Sequence, residues 1–290
     1  MRVTGMALRA ALVVAGILGS VAFAGAPLGG PIAALEEQQW AVGLEYGYEK
    51  GDLEGHGSAV QTTGSGSTYF LETVNINGLA SRMIFGSLAY GVCDNWDLFV
   101  RLGAADAQDG VRVHRAPDGG SPERFSYDGA GGVAWGLGTR ATFCLWGPWR
   151  FGGLVQTTWF DAKSSDLSSI DPDAADTVFV GSADLEFWQT QVALAAVYQI
   201  DTLSFSVGPF LQFVEGDLDR SGRILVSGID SGSFQGSANV QETSQLGLHA
   251  GVDWEVTATI NCRIEGQFTR DSWLLGIGGV VRPEHLLAGL

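Results

Sequence analysis

SRMIFGSLAYGVCDNWDLFVRLGAAD, residues 81–106, reads as two strands joined by a tight turn. Ile84, Leu88, Tyr90 and Val92 fall on one face of the first strand, with Phe85, Ser87, Ala89 and Gly91 on the other. After Cys93-Asp94-Asn95 the alternation resumes, with Trp96, Leu98, Val100 and Leu102 set against Asp97, Phe99, Arg101 and Gly103. Successive strand side chains point to opposite faces, so this hairpin has one oily face and one small or polar face. Tyr90 and Trp96 flank the turn on the oily side at one height, as aromatic residues do at a lipid–water boundary. In a soluble sandwich the same oily face would be the core.

The pattern repeats along the chain. Trp40, Val42, Leu44, Tyr46 and Tyr48 alternate with Glu45 and small residues. Further strands are read over Val133–Leu145, Trp149–Trp159, Trp188–Tyr198, Leu203–Phe213, Leu246–Trp254, Ile260–Phe268 and Trp273–Arg282. Eight of the nine tryptophans share the apolar face. Trp40, Trp96, Trp149 and Trp254, with Tyr90, lie near tight turns; Trp159, Trp188 and Trp273 lie near long connections. Two aromatic girdles fit a wall crossing two interfaces. The expected fold is all-β: a transmembrane antiparallel up-and-down β-barrel of about ten strands, with eight or twelve as alternatives. Pro209 removes a ladder donor and predicts a bulge or kink. The polar stretches Lys50–Gly78, Ala107–Gly129, Asp161–Asp184 and Glu215–Glu242 read as long loops, with Tyr69–Ile76 as an alternative extension of the next strand above the membrane.

Residues 1–24 have a basic start, an apolar run and Ala22-Phe23-Ala24, the pattern of a cleaved signal peptide. Residues 25–37 read as a short periplasmic lead-in, 38–283 as the barrel and 284–290 as a C-terminal tail. Beyond the N-terminal run, no apolar stretch approaches the roughly 20 residues of a transmembrane helix. The chain holds 42 Gly, 9 Trp and 15 Phe with only 17% charged residues, as expected where every second strand residue faces lipid. A formal charge of −16 disfavours nucleic-acid binding, which needs a basic face. Cys93, Cys144 and Cys262 form no metal or redox motif, and no disulfide, metal or cofactor is expected.

Tyr90, Gly91, Asp94 and Asn95 form an aromatic-Gly-x-x-Asp-Asn turn. This hairpin resembles small bacterial outer-membrane barrels of the OmpA-like or opacity-protein type. The resemblance covers the mature chain in pattern and this hairpin in motif, and implies a protein of the cell outer membrane. The bilayer is then the first partner, with surface ligands met through long loops, and a monomer is expected.

Glu45, Asp97, Arg101, Arg140, Arg150, His249, Asp253, Glu255, Arg263 and Glu265 fall on the inward face, with Gln156, Gln189, Gln191, Gln212 and Gln267. Opposite charges in a narrow lumen should pair. Side chains fill a barrel of about eight strands, whereas an open channel needs roughly 16. A plugged lumen with a structural or surface-interaction role is therefore favoured, with a narrow porin as the alternative. An enzyme acting on lipid or peptide is the third reading: His249, Asp253 and Glu255 share a face, but four residues of strand separate His249 from Asp253 by roughly 13 Å. The aspartates of the third loop offer hard oxygen ligands without a calcium-loop spacing, so a solvated acidic surface is preferred.

Overall fold

The computed structural model describes residues 27–116, 123–170, 176–242 and 245–283. The expected signal peptide and the 284–290 tail lie outside them. Among the described residues there are eleven strands: β1 (Trp40–Thr63), β2 (Gly66–Cys93), β3 (Trp96–Ala116), β4 (Glu123–Trp146), β5 (Trp149–Ile170), β6 (Thr177–Ile200), β7 (Leu203–Val226), β8 (Ile229–Glu242), β9 (Leu246–Thr257), β10 (Ile260–Phe268) and β11 (Ser272–Val281). Neighbours are antiparallel throughout. In the lower half β7 pairs with β9 and β11 returns to β1, closing a ring of ten strands. In the upper half β8 pairs with both β7 and β1, closing a ring of eight. The short β10–β11 hairpin widens only the lower half.

The lower ring carries the apolar exterior. Leu44, Leu102, Leu137, Val207 and Ile264 are among its exposed side chains. On β5, Trp149 and Trp159 are ten residues apart; at about 3.3 Å per residue and a tilt of about 40° they lie about 25 Å apart along the barrel axis, the height of a lipid-facing band. With the closed antiparallel ladder, this makes the chain a transmembrane β-barrel of the outer-membrane type.

The four polar stretches read as loops are instead largely strand. β1 and β2 continue to Thr63 and Gly66, leaving a two-residue turn, and β7 and β8 are likewise joined by Ser227-Gly228. The misreading has a physical cause. On β2 the inward residues are Leu79, Ser81, Met83 and Phe85 below but Val74 and Ile76 above. Between Gly51 and Leu53 of β1, β2 advances from Leu79 to Ile76, one residue more than its partner. This bulge, with Gly78 at φ +71° and its N–H donating to Asp52 Oδ1 at 2.6 Å, reverses which parity points inward. Above it the oily face is internal: Val74, Ile76, Phe179, Leu185, Leu218 and Phe234 belong to one buried core. In water the barrel must turn its apolar face inward, so the alternation rule for a lipid-facing strand inverts.

At Pro209 the predicted bulge is absent. The β6–β7 register holds from Ala193–Phe210 to Ala196–Val207, with only the rungs between them interrupted.

Candidate functional site

The lower lumen is filled by the chain's own residues 27–35, with 36–38 exposed at its mouth. This segment was expected as a periplasmic lead-in; in the structure it runs inside the barrel wall. Leu28 and Leu35 are buried against Phe99, Leu154 and Phe210. Its backbone is held at several points: Glu265 accepts from Leu28 N (2.7 Å) and Gly29 N (3.0 Å), Asp97 accepts from Ala34 N (2.8 Å), and Arg101 and Gln156 donate to Pro27 O (2.9 and 3.1 Å). Gly91, opposite the end of this segment, leaves no room for a side chain: an added Cβ would lie 2.0 Å from Glu36 O. An irregular segment needs partners for its N–H and C=O groups, and the inward charges supply them.

Those charges pair as follows. Arg140 Nε lies 3.0 Å from Asp97 Oδ2, Arg101 Nη1 lies 3.7 Å from Glu45, and Arg263 binds Asp253. Gln156, Gln191 and Gln212 occupy one rung of β5, β6 and β7 and form a ladder, with Gln156 Nε2 donating to Gln191 and Gln191 Nε2 donating to Gln212 (2.5 and 2.8 Å). Two predicted members are not part of this network: Arg150 and Glu255 are exposed, because each lies beside a tight turn where the lumen opens to solvent. His249 is buried and its Nε2 lies 2.9 Å from Leu194 O, the carbonyl facing Pro209 across the ladder. The imidazole serves a wall carbonyl that proline cannot.

Sequence reasoning missed two internal clusters. Glu49 and Glu242 converge on Gln212 Nε2 (3.3 and 2.7 Å), and Ser272 Oγ donates to Glu242 (3.0 Å), sewing the tip of the β10–β11 hairpin to the lower end of β8. Higher up, Arg220 pairs with Glu72. Glu242 and Glu72 lay in stretches read as loops. The inward parity of Glu72 could be assigned only once the bulge was located, and that of Glu242 only once β8 was seen to be a strand.

The exterior carries a second feature, legible from the register. One rung aligns Trp135, Trp159, Trp188 and Glu215 across β4 to β7, and the Trp135 and Trp159 rings stack at 4.3 Å. The rung above aligns Asp161, Glu186 and Asp217, continuing through Asn239 to His56. The next contains Lys163, Asp184 and Asp219. A groove of about 670 Å³ crosses this surface. Asp161 and Asp184 lie 3.5 and 3.7 Å from the Lys163 ammonium and hold its pKa above the ordinary lysine value. Of the other residues expected in the girdles, Trp40 packs on Tyr90 (ring centroids 4.6 Å apart), Trp149 on Tyr198 (4.7 Å) and Trp273 on Tyr48 (4.4 Å) across adjacent strands. Trp96 and Trp254 are exposed at the lower edge.

All three cysteines are free thiols. Among the described residues no three His, Cys, Asp or Glu side chains are grouped to hold a metal ion.

No family model and no curated protein matches this chain. Solved structures similar to it include the outer membrane protease OmpT from Escherichia coli, at TM-score 0.40 and 9% identity over 82% of this chain and 94% of that one. The translocator domain of autotransporter NalP from Neisseria meningitidis gives TM-score 0.39 and 11% identity over 96% and 95%. A Pseudomonas aeruginosa FadL homologue gives 0.32 and 9% over 84% and 90%. The likeness is one of architecture, and no residue role is carried across from it.

Proposed function

We propose that this protein is an outer-membrane barrel closed to solutes, non-catalytic, which acts through the exterior of its extracellular half. One observation carries the reading: the described lumen is filled twice, by residues 27–35 among ion pairs below and by the apolar core around Phe179, Leu218 and Phe234 above. The porin alternative needs a continuous wet path, and the apolar upper core opposes one. The enzyme alternative relied on His249, whose hydrogen bond to Leu194 O supports a role in the wall. The resemblance of the Tyr90–Asn95 turn to small opacity-type barrels, read from the sequence, supports a surface role.

The test is single-channel recording of the refolded protein in planar bilayers. A closed barrel gives no steps above the bare-membrane background; regular steps that disappear when the protein is heat-denatured before addition would refute the closed lumen.

A further inference from the structure

The outward rungs above the membrane band place carboxylates side by side. Asp161, Glu186 and Asp217 are direct neighbours across three strands, as are Asp184 and Asp219 on the next rung, with Glu215 beside Trp188 below. Like charges directly opposite one another destabilise a sheet. On these rungs of β5 to β7 the one cation is Lys163. Directly beneath lie the three tryptophans, at the level where a bilayer's headgroups begin, and below them the exposed Leu137 and Val155 continue the outward face onto the lipid-facing wall. A ligand here meets indole faces, which attract cations, then a row of anions, while its apolar part remains against the barrel.

From this geometry we infer that the groove over Trp135, Trp159 and Trp188 binds an amine-bearing lipid headgroup of the outer leaflet, with its ammonium held by Asp161, Glu186 and Asp217. The acyl chains lie along the apolar band without leaving the membrane, so the headgroup reaches the carboxylates from its ordinary depth. An anionic headgroup at the same place would be repelled. The assignment builds on the exterior role proposed above but does not need the lumen to be closed. A conducting barrel would overturn only the closed-lumen reading, and loss of lipid preference only this one.

The test uses the full barrel refolded into phosphatidylcholine vesicles containing equal fractions of phosphatidylethanolamine and phosphatidylglycerol, one or the other brominated. Bromine quenches nearby tryptophan fluorescence, so in a chain whose six other tryptophans are replaced by phenylalanine the ratio of quenching reports which lipid sits at Trp135, Trp159 and Trp188. The brominated amine lipid should be enriched about three- to thirtyfold over the anionic one, since exposed ion pairs are individually weak and several act together. The triple variant Asp161→Asn, Glu186→Gln, Asp217→Asn, made in that three-tryptophan chain, keeps the groove indoles and should bring the ratio close to one. Its outward positions leave the core untouched, and retained heat-modifiable migration on SDS gels verifies folding. Equal quenching by both lipids in the three-tryptophan chain with its carboxylates intact overturns the inference. If spermine binds in pure phosphatidylcholine vesicles and the lipid preference is absent, the groove takes a soluble amine and the lipid assignment fails.

Discussion

Replacing Asp97 by alanine should release residues 27–35 from the lumen. The carboxylate is fully buried and serves three donors: Arg140 Nε at 3.0 Å, Ala34 N at 2.8 Å and, more weakly, Leu35 N at 3.4 Å. Removing one partner of a buried ion pair costs about 3–5 kcal/mol, because the stranded charge loses its compensation. Arg140 retains 13% side-chain exposure, so water can partly hydrate it and the lower end of that range applies. The Ala34 N–H loses its acceptor as well, worth about 1 kcal/mol. The expected total is therefore about 4 kcal/mol, or roughly 700-fold in the folding equilibrium at about 1.4 kcal/mol per tenfold. Urea unfolding of the refolded barrel in detergent micelles measures it. A parallel readout isolates the segment: Leu35→Cys, in a chain whose three cysteines are replaced by serine, should become reactive towards a maleimide only when Asp97→Ala is added. A loss below about 1 kcal/mol, the range of an exposed pair, together with unchanged labelling, would refute an anchored segment.

Three further outcomes follow from the same geometry. His249→Ala should cost about 1–3 kcal/mol in the same urea measurement by leaving the buried Leu194 carbonyl unpaired, and His249→Gln should recover part of it. Gly132→Val should abolish heat-modifiable folding, because even a Cβ there would lie 1.6 Å from the Asp161 carbonyl of the adjoining strand. Glu242→Gln relieves the like-charge encounter with Glu49 while keeping an acceptor for Ser272; it should raise the urea midpoint or leave it unchanged at neutral pH, whereas Ser272→Ala should lower it.

The lower barrel was legible in the sequence because lipid imposes a rule that each strand obeys alone. With hydrocarbon outside, Leu98, Val100 and Leu102 must alternate with Asp97, Phe99 and Arg101, and Trp149 and Trp159 must stand one membrane apart. That rule assigned the inward charges of β1, β3, β4, β9 and β10, and it failed only at Arg150 and Glu255, where the wall ends. Above the membrane the solvent changes and the apolar face turns inward, while the bulge at Gly78 shifts the parity on β2; a single chain read by a lipid-facing rule therefore looks like loop. Residues 27–38 have no periodicity of their own, since their backbone is satisfied by Asp97, Glu265, Arg101 and Gln156 from distant strands. The rung of Asp161, Glu186 and Asp217 exists only through register. Strand alternation is a local consequence of backbone geometry, but which residues become neighbours across a barrel depends on how the whole ring closes, and only the tertiary structure decided that.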